Sequence, residues 1–303
     1  MNYRRSTARK VFEVCNNIFL AFVIFLTVTP FIMILASSFS SIEAIVQQLV
    51  YLLPVGFTLE GYVQIFMDGS IFVAYYNTLW FVVVGVAISL LLTMSAAYAL
   101  SRKYYSMRSQ MMIIVTITMF FSGGLVPFYI LINQLGLFDT RWSIVLPTAV
   151  SAFNLVMARV FMQSNVPDEL AESAKIDGAN DIHIFFLIAL PLSKAIIAVL
   201  ALFYGVGRWN SWFNEMLFLR NADYMPLSLF LRRLIILGGT AASTLGAQNE
   251  LDKQMFQDPA KFMAIRERMK YGSVIVTMLP IMMVYPLLQK YFAKGVMIGA
   301  LKE

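Results

Sequence analysis

In a chain of 303 residues, Asp, Glu, Lys and Arg make up only 13% while apolar residues reach 59%; soluble domains are about a quarter charged. That balance excludes an ordinary water-soluble enzyme or nucleic-acid-binding domain and makes lipid the solvent for most of the chain. The net charge of +6 is then read as orientation in a membrane rather than affinity for an acidic partner.

Arg4, Arg5, Arg9 and Lys10 precede a first uncharged stretch, from Glu13 to Glu43, that holds a span near 18–39. The basic head and the small residues Ala36, Ser37 and Ser38 imitate a secretion signal. The apolar run exceeds the roughly 7–15 residues of a signal core, so the segment is read as retained. Cys15, the single cysteine, has no disulfide partner and no metal-ligand company. Asp68 to Arg102 and Arg108 to Asp139 are likewise uncharged and hold spans near 71–100 and 109–132. Inside the latter, Ser122-Gly-Gly-Leu-Val-Pro127 suits a kink or a close helix approach. Spans near 143–162, 184–207 and 272–291 follow, each near the roughly 20 residues that cross the hydrocarbon core. Lys194 falls where the fifth segment enters lipid and can snorkel to the interface. The segments are too long and too little alternating for barrel strands, so helices must satisfy the backbone. The expected fold class is an all-α integral membrane protein with six transmembrane helices in a single domain, 1–303.

Both termini then share one side. The N-terminal tail, the 101–110 loop with Arg102, Lys103 and Arg108, and the C-terminal tail with Lys290, Lys294 and Lys302 carry the basic residues, which makes that side cytoplasmic. The opposite loops are poor in Lys and Arg: 40–70 has none, and 133–142 has only Arg141. The region 208–271 reads as a large external loop with short helical pieces, punctuated by Pro226, Gly238 and Gly239.

The most informative loop, 165–183, is cytoplasmic by this topology and reads Asn165-Val-Pro-Asp-Glu-Leu-Ala-Glu-Ser-Ala-Lys-Ile-Asp-Gly-Ala-Asn180. Pro167, Asp168 and Glu169 suit a helix start, and Leu170, Ala171 and Ala174 form a small apolar face. Gly178 can take a left-handed cap. Asn180 or Asp181 can cap a second helix running through Phe185 and Phe186 into the fifth span. A short helix, a glycine turn and a helix rigidly joined to a span would let a partner that pushes the first move the last. His183, the single histidine, has no second imidazole or thiol nearby and belongs to the docking surface or its rim.

Glu172-Ser-Ala174, Gly178 after three residues, and Ile188-Ala-Leu-Pro191 after nine more resemble the EAA loop of ABC importer permeases, where such subunits dock on their ATPase. Ser173 stands where the middle alanine is usual. Asp177-Gly-Ala179, Leu190-Pro-Leu-Ser-Lys194, Gly205-Val-Gly-Arg-Trp-Asn-Ser-Trp-Phe-Asn214 and Tyr291-Phe-Ala-Lys-Gly-Val-Met-Ile-Gly-Ala300 are similar to the carbohydrate-importing branch, maltose-type and complex-oligosaccharide permeases. The resemblance covers nearly the whole chain. It implies type I importer architecture, a homologous second permease, two cytoplasmic ATPase subunits carrying ATP and Mg, an extracellular solute-binding protein and a saccharide substrate, in a bacterial cytoplasmic membrane. It implies no cofactor, metal or catalytic residue in this chain, and docking through Glu169, Glu172, Ala174, Asp177, Gly178 and Ala179. The stretch from Arg220 to Lys270 resembles the loop that enters the binding protein, and Gly295 to Glu303 resembles a tail that reaches the ATPase dimer.

No G-x-x-x-x-G-K-[ST] loop occurs, so the chain has no phosphate cradle of its own. No Asp or Glu lies inside the proposed spans, which disfavours an ion- or proton-coupled carrier acting alone, although backbone carbonyls can also hold sodium. That carrier is the alternative reading; a membrane-embedded enzyme lacks an acid-base or metal constellation. At the external end of span five, Trp209, Asn210, Trp212 and Asn214 offer amides and aromatic faces suited to sugar, and the tryptophans equally suit interface anchoring. Arg208, Arg232 and Arg233 suit an acidic oligosaccharide or simple solvation.

Overall fold

The computed structural model describes residues 7–67, 69–236, 267 and 269–283. Every regular element among them is helical. Arg4 and Arg5, Gly238 and Gly239, the sixth expected span beyond Met283 and the tail from Gly295 lie outside the described residues. By packing, the described residues form two units, one from 7–69 and 233–278, the other from 70–232 and 279–283.

The first unit begins with α1 (Thr7–Ser38), a 32-residue helix containing Pro30. None of its most apolar 18-residue window is buried within the chain, so lipid or another chain must cover it. Ser41 caps α2 (Ile42–Val46) by accepting from the Ala44 N–H. The loop that follows folds back: Ser41 N–H donates to Val55 O, Thr58 N–H to Phe39 O, and Phe39 stacks on Phe57. Gly56, at φ +66°, lies where a Cβ would come within 2.9 Å of Ser41 Oγ. Next comes α3 (Glu60–Met67).

The second unit is organised on α4 (Ser70–Ser101), 32 residues without a break and about 48 Å long at 1.5 Å per residue. Phe81, Gly85, Ser89, Thr93 and Ala97 are all buried; their four-residue spacing makes one stripe. α5 (Arg108–Phe120) and α6 (Leu125–Gln134) meet at 116°. This corner replaces a continuous third span, with Gly124 at φ +83° and Pro127 in the next turn. α7 (Trp142–Val145) and α8 (Ala152–Asn165) are separated by residues 146–151. At 14 residues, α8 is only about 21 Å long.

α9 (Asp168–Ile176) is followed by α10 (Asp181–Leu192), which has a π-helical turn at Phe185–Ala189, and by α11 (Lys194–Asn210). α10 and α11 are bent by 82°, so the second helix of the loop is not the straight extension of the span that the sequence suggested. The cause is local: Pro191 supplies no N–H, and the Ser193 N–H is shared between Ala189 O and Leu190 O at 3.0 Å each. The remaining elements among the described residues are α12 (Phe213–Phe218), a 3-10 turn at Ala222–Tyr224, α13 (Leu227–Ile236) and α14 (Met269–Met283).

The main core joins Met94, Ala97 and Tyr98 of α4 to Leu155, Ala158 and Met162 of α8 and to Ile196, Leu200 and Tyr204 of α11. A second cluster at the other end joins Phe81, Ile132, Val145 and Phe218. By length and composition α1 and α4 can cross a membrane, and α5–α6 and α10–α11 can do so if each bent pair counts as one span.

Candidate functional site

Two polar assemblies stand out in the second unit. The first is the elbow formed by α9, its cap and α10. The carboxylate of Asp168 in the first turn suits the positive end of the helix dipole. At the other end the Asp177 N–H donates to Ser173 O, and the Ala179 N–H donates back to Ala174 O at 2.9 Å. Gly178 takes φ +86° between them, the left-handed closure that glycine allows. Of the two capping candidates, Asn180 acts: its Oδ1 accepts from the His183 N–H at 2.8 Å.

Ala171 is buried in the main core, with Ala174 and Ala179 packed against it. Glu169, Glu172, Asp177 and Gly178 point outward and are exposed. Glu169 and Glu172 border a groove of about 350 Å³ shared with Lys103, Tyr104 and Lys175. Sequence reading missed Ile176 and Ile182, which are 87% and 68% exposed on the same elbow. Two branched apolar residues left that bare on one elbow, ringed by charged side chains, make it a candidate docking surface.

The loop 101–105 holds the elbow. The Arg102 guanidinium, 1% exposed, is 3.2 Å from Asp168 Oδ1, and Lys103 Nζ is 3.2 Å from Oδ2. Arg102 also donates to Val166 O at 2.9 Å and lies over the Tyr98 ring. Asp181 Oδ1 accepts from Tyr104 Oη at 2.9 Å and pairs with Lys175 Nζ at 3.0 Å. The Lys175 hydrogen bond, then that of Tyr104, holds the Asp181 carboxyl below its usual range against the opposing effect of burial. Burial, first, raises the Tyr104 phenol, so it remains a donor.

The second assembly is a polar cavity of about 370 Å³ bordered by Ser151, Asn154, Tyr204, Arg208, Asn214 and Glu215. Arg208 reaches from the last turn of α11 to the middle of α4. Its Nη2 donates to Ser89 Oγ at 3.0 Å and its Nη1 to Thr148 Oγ1 at 3.3 Å, with weaker contacts to Val145 O and Thr148 O. All are neutral acceptors. The guanidinium fits because Gly85 has no Cβ: one placed there would stand 2.5 Å from Arg208 Nε. Tyr204 Oη bonds Thr93 Oγ1 at 2.8 Å and accepts from the Ser151 N–H. Glu215 is 2% exposed and accepts from Ser211 Oγ at 2.9 Å.

Arg208 does sit at the end of the fifth expected span, in the last turn of α11, and from there its guanidinium reaches the middle of α4. Of the four proposed pathway residues, Asn214 alone borders the cavity with Arg208. Trp209 is buried along a separate apolar cavity of about 540 Å³. Asn210 donates back to Val206 O, and Trp212 carries the Arg232 guanidinium 3.6 Å from its ring centre. An arginine at the end of a helix otherwise charged only at Lys194, its first residue, was the signal for this cavity. Ser89, Thr148 and Asn154, scattered in sequence, carried none.

A bundle of apolar helices with an exposed elbow and a polar cavity, but no phosphate loop, defines a membrane permease. The sequence pattern of the binding-protein-dependent transport system inner membrane component matches residues 89–218, a stretch that takes in the elbow and nearly all of the cavity. The chain belongs to this family: it is the permease component of an ABC importer, which sets aside the stand-alone carrier. It is 39% identical to Protein LplC of Bacillus subtilis (strain 168), over 97% of this chain and 96% of that protein. It is 36% identical to the polygalacturonan/rhamnogalacturonan transport system permease protein YtcP of the same organism, over 97% and 99%. A crystal structure of a bacterial ABC transporter involved in the import of the acidic polysaccharide alginate contains a chain 30% identical to this one. The TM-score is 0.83, covering 96% of this chain and 100% of that one.

Proposed function

We propose that this permease, paired with a homologous second permease, imports a carboxylate-bearing oligosaccharide delivered by an extracellular binding protein. Both termini face the cytoplasm. Of two ATPase subunits that bind ATP and Mg, one docks on this elbow, with Ile176 and Ile182 inserted in its surface and Glu169, Glu172 and Asp177 making polar contacts around them, and the other docks on the second permease. ATP-driven closure displaces the elbow, and rigid-body movement of the helices alternates access to the cavity.

The observation that carries the substrate class is Arg208, a guanidinium held on neutral acceptors at the wall of a polar cavity. Relatives of this chain are named for galacturonan transport and for alginate import, and both of these polymers carry carboxylates. Glu215 on the same cavity wall acts on Arg208 through space, but the Arg208 donors rest on neutral oxygens, a set that an anionic ligand can replace with stronger charge-assisted bonds, and Asn154, Asn214 and Tyr204 suit sugar hydroxyls.

The test is reconstitution with the partner subunits and the binding protein, measuring ATP hydrolysis stimulated by oligogalacturonate and by a neutral oligosaccharide of equal length. A charge-assisted hydrogen bond contributes about 1.5–3 kcal/mol. Arg208→Gln should therefore reduce oligogalacturonate uptake ten- to hundredfold while unstimulated hydrolysis persists. Equal stimulation by the neutral sugar, or full acidic-sugar uptake by the variant, would remove the substrate class. ATPase subunits that bind an Ile176→Asp chain as well as the parent would remove the docking surface.

A further inference from the structure

Three consecutive residues of one turn, Arg102, Lys103 and Tyr104, grip α9 and its cap at both ends. Arg102 and Lys103 share the Asp168 carboxylate at the start of α9, and Arg102 also holds the Val166 carbonyl just before it. At the far end Tyr104 donates to Asp181, while Lys175, 3.0 Å from the same oxygen, sits 4.0 Å from the centre of the Tyr104 ring. Between these grips Ala171 packs into a core that contains Tyr98 of α4, and Tyr98 meets Phe185 of α10 at 5.4 Å between ring centres. The turn follows α4 directly.

We infer that Arg102–Tyr104 form the output clamp of the coupling apparatus, making the elbow and α4 one moving body, so that displacement of α9 reaches the polar cavity through α4. The inference rests on the reading of the elbow as the ATPase contact.

Two features favour this route over the path through α10. The covalent path passes a π-helical turn and an 82° corner at Ser193, a compliant joint for an axial push. α4 runs unbroken from the clamp to Ser89, 12 residues or about 18 Å away, where the Ser89 hydroxyl accepts from Arg208. The grip is also of the kind that resists being pulled open. Arg102 is fully buried and pairs with a carboxylate, a carbonyl and a ring face, and withdrawing it would strand a charge. Arg102 is a positioning residue, acting on the cavity through α4 and on the partner through α9.

The experiment uses the assembled importer in liposomes. The permease carries Cys15→Ser, to remove its exposed thiol, with Tyr104→Cys and Asp181→Cys, bridged after assembly by a short reducible bis-methanethiosulfonate. Before bridging, substrate taken up per ATP hydrolysed should fall several-fold. Bridging should restore it to within about twofold of the Cys15→Ser parent, and reduction should abolish the gain. Bridging that stops uptake, or that leaves it unchanged, would overturn the clamp. In a second measurement Arg102→Gln and Asp168→Asn each lower the uptake per ATP about tenfold, and the pair is no worse than either alone; independent, multiplying losses would overturn the clamp as well. Failure of the docking reading looks different: the clamp variants keep their ATPase subunits and lose transport yield, whereas the docking reading stands or falls on retention of those subunits by Ile176→Asp.

Discussion

The elbow and the polar cavity are each built around an arginine, and the two are partnered in opposite ways. Arg102 is buried against Asp168, the Val166 carbonyl and the Tyr98 ring. Arg208 rests on hydroxyls and carbonyls beside a helix that lacks a Cβ at the point of contact. A buried guanidinium matched by a carboxylate ties two elements together, because removing the carboxylate leaves the Arg102 charge uncompensated in its buried position. One whose hydrogen bonds go to neutral oxygens, with the Glu215 carboxylate near but not bonded to it, can exchange those bonds for stronger ones to an anionic ligand. The same residue type thus serves rigidity in one place and recognition in the other.

The fixed side of this comparison breaks most completely at Gly178. Nothing lies within 4 Å of a Cβ built there, so a substitution is opposed by the backbone alone. At φ +86° a non-glycine residue is disfavoured by about 1–3 kcal/mol, with β-branched residues worst and asparagine tolerated. Gly178→Val should abolish uptake while the chain still inserts in the membrane, and Gly178→Asn should retain most of it. Radiolabelled uptake in cells with matched membrane levels of permease separates the two. Equal loss in both variants would mean that the surface of the turn matters rather than its direction.

How much of each region could be read from sequence follows from the same contrast. The elbow is contiguous, and its cap residues, Gly178 and Asn180, act through bonds to neighbours three to five positions away, so their roles are written locally. The 82° corner was not anticipated, because Pro191 and Ser193 sit inside an apolar run whose composition is the same whether the helix is straight or bent. The cavity was harder still. It draws Thr148, Asn154, Tyr204 and Asn214 from α8, α11, α12 and the segment between α7 and α8, and its Arg208 rests on Ser89 of α4; a lone serine or threonine in an apolar helix more often bonds its own backbone, as Thr27 and Thr116 do here. Glu215 looked like a loop carboxylate because burial depends on what packs over α12.

The recognition side is sharpened by Gly85→Ala. The new methyl would stand 2.5–2.8 Å from the Arg208 Nε, Cζ and Cδ atoms and would push the guanidinium off Ser89. Alanine improves intrinsic helix propensity by about 0.8–1 kcal/mol, so thermal stability of the purified permease complex should change little. Uptake of the acidic substrate should fall about tenfold through the displaced charge-assisted bonds. A loss of stability in step with transport would show instead that Gly85 serves helix packing.

The smallest effect concerns the outer grip of the clamp and separates it from the buried one. The Lys175–Asp181 pair is about half exposed, with side chains 40% and 51% accessible, so after screening it is worth at most about 0.2–1 kcal/mol. The Asp181 carboxyl lies below its ordinary value of 3.8 because Lys175 and Tyr104 donate to its charged form. A lowered carboxyl pKa stabilises the folded state above that ordinary value, and the contribution is lost as pH falls through the lowered folded value. Tyr104, its phenol raised by burial, keeps its proton throughout this range and does not move the window. The difference in melting temperature between the parent and Asp181→Asn should therefore be constant well above the ordinary carboxyl value of 3.8 and shrink as pH falls below it through the lowered folded value. A difference that stays constant as pH falls through the carboxyl range would show that Lys175 and Tyr104 do not hold the Asp181 charge, and would remove the outer grip from the clamp.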